Sequence, residues 1–203
     1  DQQLQLPAAV ENDVNAAAVG EYAFGAARGM KDFLMLTFGT GIGGAAFLNG
    51  QLYRGGLGSA GEFGGLITHP EAVDPASQGT GSYERYASTT ALVKRVSARF
   101  PELTDGRAIF ARLENQDVRA EVDGWISEIS YGLVSLIHAF DPEAVVLGGG
   151  VMKQEYIQQQ LNGRLQALLK PSFRGCRLIP AQLGNQAGLM GAGYLAGRCA
   201  GLE

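Results

Sequence analysis

Apolar positions along this chain fall into two kinds of run. Leu34–Phe38 is continuously apolar apart from Thr37 and too short for a helix, which predicts a buried strand. Ala45–Leu48 predicts a second strand, Asn49-Gly50 a hairpin turn and Gln51–Tyr53 the return. Ala144–Leu147 and Arg177–Ala181 predict two more strands, and Ala8–Val10 and Leu66–Thr68 two short ones. The other runs carry helical spacing. An alanine-rich helix is expected over Ala16–Arg28, and another over Tyr83–Phe100, broken near Ser88-Thr89-Thr90, with Leu92, Val93 and Val96 on its apolar face. Ile109–Leu113 and Val118–Phe140 follow, the latter with Trp125, Ile126, Ile129, Leu133, Leu136, Ile137 and Phe140 at core spacing. Glu155–Leu169 and Ala187–Ala196 complete the set. Strands and helices interleave from end to end, so the class is α/β.

Glycine interrupts this pattern where chemistry is expected. The first strand stops at Gly39-Thr40-Gly41-Ile42-Gly43-Gly44, a stretch open to positive φ and free of bulky side chains. It is either a tight turn between core strands or a cradle of backbone N–H groups for an anion. Because it leads into a strand and not a helix, it is neither a P-loop nor a dinucleotide fingerprint. A second flexible stretch, Gly55–Gly65, has Glu62 as its one charged residue, and Ala144–Leu147 enters Gly148-Gly149-Gly150. Several glycines within Ala187–Ala196 imply close backbone contact with another element or a ligand, since each costs about 0.8–1 kcal/mol in a helix interior. Asn12 or Asp13 can cap the first helix; a carboxylate at a strand end beside a helix N-terminus is also a sound place for a general base.

Composition narrows the classes. The 203 residues are 46% hydrophobic and 18% charged, with a net charge of -4 and no basic run, which gives nucleic acid no footing on this segment. No apolar run approaches the roughly 18 residues of a membrane span. Cys176 and Cys199 lie far apart without metal-ligand spacing, which suits reduced thiols, so a soluble, cytoplasmic protein is expected. His69 and His138 are solitary, and the Pro-, Gly- and Ser-rich His69–Ser82 stretch is long enough for a functional loop.

Six segments then stand in one order. They are Glu11–Ala17, LTFGTGIGGAAFLNGQLYRG, Gly58–Gly64, Glu84–Ser88, DPEAVVLGGGV and LGNQAGLMGAGYLA. From about Pro7 to Ala196 the chain resembles the ROK family (repressors, open reading frames and sugar kinases), whose fold is the actin/hexokinase-like ATPase fold. The resemblance implies ATP-dependent phosphorylation of a hexose or related sugar. Asp13 matches the catalytic base, which takes the proton from the attacking sugar hydroxyl, and Asn12 a sugar-hydroxyl ligand. Glu62 and Glu84 match carboxylates that accept hydrogen bonds from the sugar. Gly39, Thr40, Gly41 and Gly43 match a phosphate-binding turn, and Gly148, Gly149 and Gly150 the glycines near the adenosine.

Two departures qualify what the resemblance implies. Family members usually place a histidine where Gly65 stands and a cysteine cluster in the stretch occupied by His69–Gly81. Without thiolates and with a single imidazole no tetrahedral zinc site is expected, as in the zinc-free branch that includes β-glucoside kinases. The family also begins with a further lobe, which supplies an Asp-x-Gly-Gly-Thr phosphate turn and the carboxylate that positions Mg²⁺. Nothing here matches it. The chain thus reads as residues 1–203 of a C-terminal domain, with 1–6 a remnant of the interdomain connection and 187–203 a helix facing the other lobe. Apolar surface near Leu189, Met190, Tyr194 and Leu195 is expected to lie exposed and to favour a homodimer, and the chain alone is expected to fold but not to turn over. Two other readings stay open: the sugar-sensing half of a ROK transcriptional repressor, and a silent paralogue that binds sugar or only self-associates.

Overall fold

A computed structural model describes residues 8 and 10–201; the proposed remnant at 1–6 and the last two residues lie outside them. Five strands form one sheet: β1 (Phe33–Phe38), β2 (Ile42–Leu48), β3 (Gln51–Tyr53), β4 (Ala144–Gly148) and β5 (Arg177–Pro180). Their order is β3-β2-β1-β4-β5, with antiparallel pairing from β1 out to β3 and parallel pairing from β1 to β4 and from β4 to β5. Among the described residues seven α-helices accompany it: α1 (Asp13–Phe24), α2 (Tyr83–Ala87), α3 (Thr89–Ser97), α4 (Gly106–Phe110), α5 (Gln116–Phe140), α6 (Glu155–Leu168) and α7 (Ala187–Cys199).

Strand alternation sorts the core into two layers. Leu34, Leu36, Phe38, Val145 and Leu147 point to one face and bury against α2, α3, α5 and α6 through Trp125, Ile129, Leu133 and Leu161. Phe33, Met35, Phe47, Ala144 and Val146 point to the other, where Ala18 and Val19 of α1 cover them and Tyr194 and Leu195 of α7 pack alongside. Thr37 shares the parity of Met35 and therefore stands on the α1 side, at the C-terminal end of β1.

Several sequence expectations shift here. α1 begins at Asp13, three residues before the alanine-rich run, because Asn12 is extended and caps it. Strand β2 begins at Ile42, so Gly43 and Gly44 are ladder residues opposite Thr37 and Leu36, and the turn shrinks to Gly39–Gly41. Residues 66–68 supply only an isolated bridge, Ile67 to Ser82. Of the strand expected at Ala8–Val10, Ala8 and Val10 are exposed and belong to no strand, and Ala9 lies outside the described residues. The expected break at Ser88 is present, with Ser88 closing α2 and capping α3 through Ala91 N–H at 3.2 Å. Of the four apolar side chains expected to lie bare on the last helix, only Leu189 is strongly exposed; Tyr194 and Leu195 are half-buried in the α1 layer. Among the described residues, no helix is long and apolar enough to cross a membrane.

Candidate active site

The first turn of α1 is placed by what the sheet omits. A Cβ on Gly43 would stand 2.9 Å from Thr37 Oγ1 and closer still to Val14, so glycine there lets the helix start lie directly on the ends of β1 and β2. Asn12 then caps the helix: its Oδ1 accepts from Val14 N–H at 2.9 Å and Asn15 N–H at 3.3 Å. Capping occupies the side-chain carbonyl and leaves its amide N–H₂ free to donate. Asp13 follows in the first turn, exposed, where the helix dipole favours its negative charge. One of its oxygens also accepts from Val14 N–H at 2.9 Å, and the other has no protein partner among the described residues.

Two cavities open from this point. The larger, about 750 Å³, lies at the C-terminal ends of parallel β1 and β4, where open α/β sheets take their ligands. Thr37, Gly148, Gly149 and Gly150 form one side of it, with Arg107 and Lys153 from the neighbouring α4 and Val151–Lys153 turns. The smaller, about 260 Å³, lies between Asn12–Asn15 and the loop Gly58–Glu62. Asp13 and Val14 line both. One carboxylate therefore borders two adjoining chambers. The larger falls within the roughly 300–1,000 Å³ usual for ligand pockets, and the smaller lies just below it.

The sequence-derived residues divide accordingly. Asn12, Asp13, Glu62 and Gly43 line the smaller cavity, and Gly148, Gly149 and Gly150 the larger. Gly149 has φ of +110°, and a Cβ on it would press on the backbone of Phe38. Gly39, Thr40 and Gly41 line neither cavity, and no glycine from 39 to 44 has positive φ. Glycine serves there by leaving room: a Cβ on Gly41 would stand 2.5 Å from Glu84 Oε2. Glu84 likewise lies outside both linings. Its Oε2 takes a long hydrogen bond from Ile42 N–H at 3.4 Å and sits against Gly41 and Gly64, behind the loop that carries Glu62.

Helix α5 fixes that region. Trp125 Nε1–H donates to the carbonyls of Ala87 and Ser88 at 3.1 and 3.0 Å, and Tyr83 O–H donates to Ile129 O at 2.7 Å across the gap left by Gly132. From the same break Thr89 N–H donates to Gly39 O at 2.9 Å and holds the glycine turn. Sequence reasoning missed Arg107 and Lys153, lone cations without a motif, and neither has a salt-bridge partner among the described residues. It did flag the glycines of α7: Gly188 lines the larger cavity, and Gly191 packs on Ala16 O of α1. Among the described residues no three His, Cys, Asp or Glu side chains converge as a metal site would require. Both ring nitrogens of His69 are engaged, by Glu71 and Glu128 at 2.8 Å each.

A model of the ROK family matches residues 1–198. The chain belongs to the ROK family. A β-glucoside kinase from Listeria monocytogenes is 37% identical over 93% of this chain and 64% of its own length. A glucokinase from Halalkalibacterium halodurans is 31% identical over 96% of this chain and 65% of its own. The crystal structure of a ROK family glucokinase from Streptomyces griseus, in complex with glucose and AMPPNP, superposes with a TM-score of 0.83 at 34% identity, covering 97% of this chain and 70% of that one. The expected actin/hexokinase-like α/β fold thus stands for this ROK chain, which spans 64–65% of the length of these curated relatives.

Proposed function

We propose that this ROK chain forms the sugar- and donor-facing part of an ATP-dependent sugar kinase with Asp13 as its general base. The observation that carries the reading is the position of Asp13, lining both cavities at once. A hexose-type sugar occupies the smaller cavity, with the Asn12 amide donating to one hydroxyl and Glu62 accepting from another. Glu84, behind the Glu62 loop, reaches the sugar only if the loop shifts, and otherwise holds the glycine turn against Ile42 N–H. The donor lies in the larger cavity with its adenosine toward Gly148–Gly150 and its phosphates toward Asp13 and Thr37.

In the reaction Asp13 accepts the proton of the attacking hydroxyl as the new O–P bond forms. The bond from the γ-phosphorus to the bridging oxygen breaks, and the electron pair leaves on ADP. Mg²⁺ bound with ATP would neutralise charge on the phosphates; among the described residues no cluster of carboxylates converges to hold it. In-line transfer needs the donor gripped from both sides. Since the chain spans about two-thirds of its relatives' length, we propose that the 203 residues alone bind ligands without measurable turnover. Cytoplasmic location and a homodimer belong to the same proposal.

The test is a coupled ADP-release assay over a panel of hexoses and β-glucosides, run on the 203-residue chain and on a polypeptide of the relatives' full length. Sugar-dependent turnover only in the longer polypeptide is expected. No turnover from either on any sugar would remove the kinase reading, and turnover by the short chain at ordinary kinase rates would remove the claim that one wall of the cleft is insufficient.

A further inference from the structure

Glu11 stands immediately before the capping residue and lines neither cavity. Its carboxylate is held from three directions. Oε1 accepts from Asn12 N–H at 3.0 Å and from Asn15 Nδ2–H at 2.8 Å; Oε2 accepts from both Nε and Nη2 of Arg54, at 3.1 and 2.7 Å. The Glu11 side chain is only 13% exposed, against 52% for Arg54. Burial pushes the Glu11 carboxyl up, and the bonds from Asn15, Asn12 and Arg54 together outweigh it and bring it below its usual value.

Arg54 directly follows β3 and opens the glycine-rich loop. Its carbonyl accepts from Ala60 N–H at 3.1 Å, which closes the loop just before Gly61 and Glu62. The two residues of this ion pair thus adjoin the two walls of the smaller cavity: Glu11 directly precedes the Asn12–Asn15 wall, and Arg54 holds the base of the loop that carries the Gly58–Glu62 wall. Among the described residues, their two bonds are the only side-chain hydrogen bonds that join those walls. Neither residue lines the cavity itself.

We infer that Glu11 and Arg54 are positioning residues, a clamp that sets the spacing between Asn12–Asp13 and Glu62 and thereby the affinity of the smaller cavity for sugar. The inference rests on the proposed sugar site, and it adds residues that touch no ligand. Three features support it. The guanidinium–carboxylate pair is two-pronged and mostly shielded on the carboxylate side, the arrangement in which such pairs fix geometry best. The same carboxylate grips the backbone of Asn12 and the side chain of Asn15, so a shift at Arg54 passes straight to the first turn of α1. Finally, Gly55 and Gly58, at φ of +72° and +80°, give the loop little stiffness of its own.

The clamp predicts an effect confined to one cavity. Titration calorimetry on the 203-residue chain would use D-glucose and cellobiose as sugar probes and, separately, ADP. Arg54→Met keeps the aliphatic stem and loses the fork; it is expected to weaken sugar binding about tenfold or more, the scale of losing charge-assisted bonds. Affinity for ADP should stay within about twofold, and the melting temperature within a few degrees. Glu11→Gln keeps an acceptor for Asn12 and Asn15 and should weaken sugar binding less. Arg54→Lys should restore part of the loss, and the Glu11→Gln/Arg54→Met pair should be no worse than Arg54→Met alone. Unchanged sugar affinity, equal loss for sugar and ADP, or fully additive variants would overturn the clamp while leaving the sugar site intact. A wild-type chain that binds neither sugar would remove the sugar site and the clamp with it.

Discussion

At the scale of single residues, position 43 governs the site. Gly43 is a strand residue whose missing side chain admits Val14, and Val14 brings Asp13 to the junction of the two cavities. Gly43→Ala should therefore push α1 outward, at a cost of about 1–3 kcal/mol for overpacking, with loss of sugar binding beyond what the stability change explains; urea titration beside calorimetry measures both. His69 makes a different, pH-dependent contribution. Burial pushes its imidazole down, but hydrogen bonds to Glu128 and Glu71 outweigh that and raise it above 6.5. A raised folded value means the stabilisation is complete below 6.5 and is lost as pH rises through the folded value. Relative to His69→Gln, the wild-type chain should thus keep its full advantage in melting temperature below pH 6.5 and lose it as pH rises above that value. A difference that grows with pH would contradict this.

At the scale of elements, α1 and α7 cross backbone to backbone. A Cβ on Gly20 would press on Ala187 O, and one on Gly191 on Ala16 O. Gly191→Leu should destabilise the fold by about 3 kcal/mol or more, at the upper end of overpacking costs, read as a lower urea midpoint with an unchanged slope. The glycines of α7 announced this contact in the sequence, whereas its partner could not be read, because α1 mixes alanines with Val, Glu, Tyr and Phe and shows no sharp apolar stripe. The strands were legible because Leu34–Phe38, apart from Thr37, and Ala144–Leu147 are buried on both faces. Where glycine replaced apolar residues, as at Gly43 and Gly44, a strand looked like a turn, because only the facing residues Thr37 and Phe63 explain why no side chain fits. Glu84 shows the limit for the site itself: a motif named it, while only the fold places it behind the Glu62 loop. Arg107 and Lys153 had no motif, and their place at the larger cavity depends on α4 packing against Val151, a contact between distant segments.

At the scale of the whole molecule, one sheet carries two layers of helices and places both candidate cavities along a single edge, with α1 between them. Metal content is predicted at this scale. Cys176 is half-buried and its thiol is pushed up to about 11, first by burial and then by Asp141, which makes it a poor thiolate ligand. With His69 tied to two carboxylates, purified protein should carry no stoichiometric zinc, and about one zinc per chain by elemental analysis would show that a site exists beyond the geometry described. The central claim is that Asp13 serves both cavities as the base of a sugar kinase. Its most direct test is Asp13→Asn in a polypeptide of the relatives' full length, with kcat from coupled ADP release set beside glucose and ADP affinities from calorimetry. A fall in kcat of about 10²–10⁴-fold is expected, the usual cost of losing a general base, with both affinities within about threefold of wild type. A variant that keeps more than about a third of wild-type kcat would take Asp13 out of that role.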